Sequence, residues 1–262
     1  MTASAGRALV TGAARRLGRA MALYLAGRGH DVAIHYASSA KEAEGVADQA
    51  RAMGVNAAAV HADLLDEGQS ETLIARAADA LGGPLTVLVN NASTFEYDNI
   101  RSATRAGWDR NLGTNLRAPF VLTQHFAAHV PPAIRNAEGA LAQGLVVNML
   151  DQRVRKLTPE FMSYTIAKMG LWAFTQTAAR ALAPDIRVNA IGPGSTLRGE
   201  NQSQAQFDDQ RAASILQRGA NPDDITAALG YLLDAPAVTG QLICVDGGQH
   251  LGWKTPDIRG RE

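Results

Sequence analysis

Short apolar runs alternate with amphipathic helical stretches along the whole of this 262-residue chain, and no other feature narrows its possible folds as much. Residues 7–11 (RALVT), 31–36 (DVAIHY), 56–60, 85–90 (LTVLVN), 145–149 (LVVNM), 186–191 (IRVNAI) and 241–245 (QLICV) read as strands. Helical periodicity covers 16–28, with Leu17, Ala20, Met21, Tyr24 and Leu25 on one face, and then 40–53, 67–80, 102–130, 161–182, 205–218 and 222–234. The strand runs are apolar throughout, as strands covered on both faces require. Strands alternating with helices imply parallel βαβ units with right-handed crossovers. No composition break, repeat or low-complexity segment marks a second domain, so residues 1–262 read as a single α/β domain.

The charge balance and cysteine usage close off other classes. Lys and Arg total 25 against 25 Asp and Glu, which argues against a nucleic-acid partner held by bulk positive charge. Cys244 is the single cysteine, which excludes an internal disulfide or a cysteine-based zinc site, and it reads as a small buried hydrophobe in the last strand. The apolar runs are too short to span a membrane. The first residues, MTASAGRALVTG, lack a basic segment followed by an apolar one, so a soluble cytoplasmic protein is expected. His125 and His129 are four apart on a helix, but without a nearby third ligand they read as a packed or surface pair, and no metal is expected. Trp108 and Trp172 read as packing residues. The polar stretch 195–211 reads either as a lid or as a solvated connection, with 195–218 as the wider lid segment.

The turn from the first strand to the first helix is Thr11-Gly12-Ala13-Ala14-Arg15-Arg16-Leu17-Gly18. Gly12 permits the tight turn, Gly18 permits close packing of helix on strand, and the helix N-terminus offers N–H groups to a pyrophosphate. Arg16 stands where a glycine is expected, which calls for an anionic or polar partner: the cofactor pyrophosphate or a substrate edge. NAD-binding turns carry an acid about 20 residues on, and here the second strand ends His35-Tyr36-Ala37-Ser38-Ser39 without one. Arg15, Ser38, Ser39 and Lys41 instead suit a 2′-phosphate, so NADP(H) is the expected cofactor. Asp63 is placed to accept from an adenine amino group, to cap the following helix, or both.

Tyr164 and Lys168 lie four apart at the start of a helix and share a face. A phenol of pKa about 10 needs a nearby ammonium to serve as an acid–base group at neutral pH. Any helix can hold such a pair. Here it accompanies Asn90-Asn91-Ala92-Ser93 after the fourth strand, Asn115-Leu116 in a long helix, Gly192-Pro193-Gly194 after the sixth strand, and Val245-Asp246-Gly247-Gly248 at the close of the last. In that order, and along nearly the whole chain, these segments resemble the short-chain dehydrogenase/reductase family. The resemblance implies a Rossmann-type doubly wound parallel sheet of seven strands, nicotinamide hydride transfer, Tyr164 and Lys168 as the catalytic pair, and Asn115 supporting a water relay to Lys168. It extends the cofactor contacts to Leu17, His35, Tyr36, Leu64, Asn91, Ala92, Ser93, Tyr164, Lys168, Pro193, Gly194 and Ser195. It also implies a homotetramer, with residues 102–130 and 161–182 at its core and the tail 252–262 near another subunit.

Three departures narrow the resemblance. Asp151 replaces the family's usual active-site serine, Ser93 replaces the last glycine of Asn-Asn-Ala-Gly, and Arg16 replaces the central glycine of the turn. All three match the pteridine reductase and dihydromonapterin reductase branch, which also carries an aromatic residue at the position of Phe95. By that resemblance a pterin stacks between Phe95 and the nicotinamide, Arg16 and Ser93 hold its polar edge, and Asp151 with Tyr164 relays a proton. Arg153 and Arg155 read as loop residues, placed either near a substrate anion or simply in the loop. Two other readings stay open: a carbonyl reductase or alcohol dehydrogenase in which Asp151 is a loop cap, and a non-catalytic cofactor sensor. Against the sensor stand the intact Tyr164, Lys168 and Asn115.

Overall fold

The computed structural model describes residues 5–199 and 202–253. In chain order it runs β1 (Gly6–Val10), α1 (Arg16–Gly27), β2 (His30–Tyr36), α2 (Ala40–Ala52), β3 (Ala57–His61), α3 (Glu67–Ala80), β4 (Val87–Asn90), α4 (Arg105–Leu112), a π turn (Gly113–Arg117) and α5 (Ala118–Ala127). There follow β5 (Ile134–Asn136), β6 (Gly139–Leu141), β7 (Gly144–Met149), a 3-10 turn (Gln152–Val154), α6 (Met162–Ala181), β8 (Ile186–Pro193), α7 (Gln204–Ala212), α8 (Pro222–Asp234), β9 (Leu242–Val245) and a second 3-10 turn (Gln249–Leu251).

Seven strands form one parallel sheet in the order β3-β2-β1-β4-β7-β8-β9. The doubly wound α/β fold is therefore confirmed, with β1 between β2 and β4 at the switch point. Successive residues of β1 face opposite sides. Ala8 and Val10 pack with Met21, Leu25, Val46, Ile225 and Leu229 of α1, α2 and α8. Leu9 packs with Leu73, Ile74, Leu122 and Phe126 of α3 and α5. Full burial of each such side chain contributes about 1.5–3 kcal/mol, so apolar area on both faces fixes the layer order.

The structure shifts several details. The buried face of α1 is Gly18, Met21, Ala22, Leu25 and Ala26, one position on from the expected stripe. Small residues at 18, 22 and 26 let the helix lie close to the sheet, while Leu17 and Tyr24 pack only from its flank. The stretch 102–130 is two helices joined by the π turn, and 205–218 is helical only over Gln204–Ala212. An exposed antiparallel hairpin, β5–β6, follows α5; its strands of three residues are too short to leave a periodicity. Trp108 is 37% exposed and so is not a core residue. Cys244 is only half-buried, because β9 is the edge of the sheet.

Candidate active site

The turn after β1 is held from three sides. Thr11 Oγ1 accepts the N–H groups of Asn91 and Ala92 at 2.8 and 2.9 Å. Asn91 Nδ2 donates back to the carbonyls of Thr11 and Gly12. Beneath the turn, His35 Nδ1 accepts from Gly12 N–H at 3.0 Å and Nε2 lies 3.0 Å from the Ala62 carbonyl. Burial pushes the His35 imidazole down to about 4, so the ring is neutral and Nε2 carries the proton. Both ring nitrogens are committed to the protein. The expected cofactor contact by His35 is therefore corrected, for its side chain, to support of the turn.

The glycines leave no room for side chains. A Cβ on Gly18 would stand 2.2 Å from the Gly12 carbonyl oxygen and 2.6 Å from Asn91 Nδ2. Gly12 itself has φ +62°. Arg16 has φ +52°, a left-handed conformation that explains why a glycine is expected there and that costs about 1–2 kcal/mol in an L-residue. Its guanidinium donates to the Leu197 and Arg198 carbonyls at 3.1 and 2.9 Å. Arg16 thus meets the start of the 195–211 segment, a polar partner other than the expected pyrophosphate or substrate edge, and ties it across the turn.

Neither α1 nor α2 has its first turn capped by a side chain; Arg15 and Ser39 occupy the two N-cap positions. Their free N–H groups, the narrow glycine turn and the exposed Ser38 fit the phosphates of a dinucleotide. Arg15 is paired with Glu42, from the first turn of α2. The cationic patch is therefore opposed by an acid one helical turn beyond the strand end. Tyr36 lies 5.4 Å from His61, ring to ring. Leu64 is buried. Asp63 is exposed and accepts from Leu65 N–H at 3.0 Å. It does not cap α3: that is Asp66, which accepts from Gln69 N–H. Pro193 ends β8, Gly194 N–H donates to the Val245 carbonyl, and Ser195 N–H donates to Gln249 Oε1 at 3.2 Å. The last two motifs are thus joined side by side. The tail expected at a subunit interface falls mostly outside the described residues, at 254–262.

Asp151, Tyr164 and Lys168 meet at the C-terminal end of β7. Tyr164 O–H donates to Asp151 Oδ2 at 3.0 Å, and the other oxygen, Oδ1, accepts from Arg153 N–H at 2.8 Å. Burial pushes the Asp151 carboxyl up, with the Arg153 contacts, Tyr164 and Lys168 pulling it back. Burial and the adjoining Asp151 charge push the Tyr164 phenol well above its ordinary 10. Lys168 lies over the Tyr164 ring at 5.6 Å, and burial lowers its ammonium to about 8. Its Nζ donates to the Met149 carbonyl at 2.8 Å. The expected lowering of the phenol by Lys168 is absent in this arrangement because burial and Asp151 dominate.

Asn115 sits on the π turn, a backbone irregularity frequent at functional sites. It is fully buried. Its Oδ1 accepts the Ser93 hydroxyl at 2.6 Å, and its Nδ2 donates to Thr94 and to the Asn111 carbonyl. No direct hydrogen bond joins it to Lys168. Phe95 is 53% exposed. Its ring stacks on Phe161 at 4.2 Å and 6° and meets the Tyr164 ring edge-on at 4.8 Å.

Phe161 is a site residue that sequence reasoning missed, although it stands three positions before Tyr164. It adopts φ +54° at the N-cap of α6, and its N–H donates to the Asp98 carbonyl at 2.8 Å. Asp98 also bonds to Ser163, which accepts from Asn111 Nδ2 at 2.8 Å. That chain of bonds locks the 93–99 loop onto the start of α6. No local pattern announces it, since its members lie on three separate segments.

A doubly wound sheet with two uncapped helix ends, of α1 and α2, after its neighbouring strands β1 and β2, together with a row of carboxyl, phenol and ammonium at the end of β7, has the build of a dinucleotide-dependent oxidoreductase. Comparison with known proteins agrees. A family model described as enoyl-(acyl carrier protein) reductase matches residues 12–250. A 3-oxoacyl-[acyl-carrier-protein] reductase of Staphylococcus aureus is 32% identical over 251 residues, 93% of this chain and 98% of that one. FolM alternative dihydrofolate reductase 1 from Brucella canis, crystallised with NADP, is 43% identical with a TM-score of 0.90, covering 97% of this chain and 98% of the other. A Burkholderia cenocepacia short chain dehydrogenase in complex with NADP gives 33% and 0.85, over 94% and 98% of the two chains. The chain belongs to the short-chain dehydrogenase/reductase family and is an oxidoreductase.

Proposed function

We propose that this protein is an NADPH-dependent reductase of a C=N bond in a pterin, dihydropterin or dihydrofolate. The observation that carries the reading is the Tyr164–Asp151 hydrogen bond of 3.0 Å, set against the aromatic wall of Phe95 and Phe161. Reduction of C=N needs a proton at ring nitrogen. An Asp151 carboxyl pushed up by burial holds a proton at higher pH than an ordinary carboxylate and passes it through the Tyr164 hydroxyl. An ionised carboxylate at the same place opposes the oxyanion that develops in carbonyl reduction. Phe95, with one face covered by Phe161, offers its other face to a flat heterocycle. Ser93, whose hydroxyl is directed by Asn115, and Arg16, held by the Leu197 and Arg198 carbonyls, would hold the polar edge of the substrate.

Gly12, Arg15, Arg16, Leu17, Ser38, Ser39, Asn91, Ala92 and Ser195 would hold NADP(H), with Arg15, Ser38, Ser39 and the nearby Lys41 around the 2′-phosphate. Bound nicotinamide supplies the hydride. The FolM structures, which carry NADP, support both the cofactor and the substrate class. The 3-oxoacyl reductases among the relatives favour a second reading, reduction of C=O. The same proposal makes the enzyme a cytoplasmic homotetramer acting on small molecules. No helix among the described residues is long and apolar enough to cross a membrane, and apolar side chains stand exposed on α4, α5 and α6.

The test is a substrate panel of dihydrobiopterin, dihydrofolate, simple ketones and a 3-oxoacyl thioester, each with NADPH and NADH. Pterins should turn over with NADPH, and Asp151→Ser should lower kcat/KM for them about 100-fold or more. Turnover of ketones alone, indifferent to Asp151→Ser, overturns the proposal in favour of the carbonyl reductase.

A further inference from the structure

Arg153 stands at the mouth of this site with its charge uncommitted. Its Cζ lies 4.8 Å from the centre of the Phe161 ring and 5.7 Å from that of Phe95. Its backbone N–H is fixed by Asp151 Oδ1, so the arginine cannot drift from the carboxyl that serves Tyr164. Of its five side-chain N–H groups, one donates, from Nη1 to Thr158 Oγ1 at 2.9 Å. Among the described residues no carboxylate lies within ion-pair distance of it. The nearby rim acid, Glu160, is turned to the Tyr97 hydroxyl at 3.5 Å.

Two aromatic rings with a guanidinium above them form a surface that takes a flat, anion-bearing group: the rings carry the apolar part, and the free N–H fork matches a carboxylate in plane. We propose that Arg153 is the specificity-determining residue of a second subsite, reading a carboxylate on a tail that extends from the heterocycle along the edge of the Phe95–Phe161 stack. The inference rests on the pterin reading above and sharpens it. The preferred substrate carries an aryl-linked carboxylate tail, as dihydrofolate does, and is not a pterin with an uncharged side chain.

The experiment measures kcat and KM of the full-length enzyme with NADPH for dihydrofolate and for dihydrobiopterin. It compares the wild type with Arg153→Met, which keeps an apolar stem on the rings, and Arg153→Lys, which keeps the charge without the fork. The readout is the dihydrofolate-to-dihydrobiopterin ratio of kcat/KM. Arg153→Met should lower that ratio about 10-fold or more, through the dihydrofolate KM, with any change in kcat from the altered Asp151 surroundings shared by both substrates, and Arg153→Lys should restore part of the ratio. Raising salt should lower the ratio in the wild type and leave it unmoved in Arg153→Met. A fall in both substrates with an unchanged ratio shows a structural role and overturns the subsite alone. An enzyme that reduces neither pterin overturns the reading of the whole site and the subsite with it.

Discussion

The two oxygens of Asp151 hold different partners: one accepts the Tyr164 hydroxyl, the other fixes the backbone of Arg153. A serine here could donate to an oxyanion but could not store a proton. The pH dependence follows from the directions of the shifts. Asp151 is pushed up, so its acid form persists to higher pH than an ordinary carboxyl. Lys168 is lowered to about 8, so it is an ammonium below that pH and neutral above it. Reduction should therefore be fastest on the acid side and fall as pH rises, with one limb near 8 from Lys168 and another from Asp151. A kcat profile for Asp151→Asn should lose the Asp151 limb and keep the one near 8; a profile unchanged by that substitution sinks the proton-donor role. Asp151, Tyr164 and Lys168 were expected from the sequence through the family resemblance carried by the spaced motifs, since a Tyr and a Lys four apart occur on any helix. Phe161 was not, because its role comes from a backbone conformation and from Asp98, which lies 63 positions earlier.

Among the elements, α1 shows most directly how packing limits the chain. Its close approach to β1 depends on Gly18, and a Cβ there would overlap the Gly12 carbonyl. Gly18→Ala should cost about 1–3 kcal/mol through this overpacking and should weaken NADPH binding, because the displaced carbonyl belongs to the turn proposed to hold the cofactor. Thermal melts with and without NADPH check both; a variant with unchanged Tm and affinity refutes the close-packing account. Most element positions followed from apolar periodicity, with α8 (Pro222–Asp234) and α3 (Glu67–Ala80) found where the pattern placed them. The π turn at Gly113–Arg117 did not, since five residues are too few for its wider period to show against the α-helical pattern on either side. Nor did the hairpin Ile134–Leu141, whose strands are too short and too exposed to carry an alternation.

At the scale of the whole molecule, α4, α5 and α6 present an apolar surface to the outside. Trp108, Phe120, Ile166 and Met169 are 37–43% exposed, and a groove of about 500 Å³ runs between Trp108, Leu112, Leu116 and Phe120. Contiguous exposure of this kind marks an interaction site, and a homotetramer would cover it. Sedimentation at micromolar concentration should give a tetramer for the wild type and a smaller species for Phe120→Glu combined with Ile166→Glu; a monomeric wild type overturns the assembly. The sequence by itself determined the parallel βαβ units and the glycine turn, because hydrophobic period and turn stereochemistry act over a few neighbouring residues; the doubly wound order was what the family resemblance implied. The Tyr164–Lys168–Asp151 chemistry was expected from the family resemblance of the spaced motifs, not from the spacing of these three residues. Tertiary structure alone decided that Arg16 binds the carbonyls at 197–198, that Glu42 opposes Arg15, that His35 props the turn, and that Phe95, Phe161 and Arg153 share one mouth. Those contacts join segments far apart in the chain, and only closure of the sheet brings them within hydrogen-bonding reach.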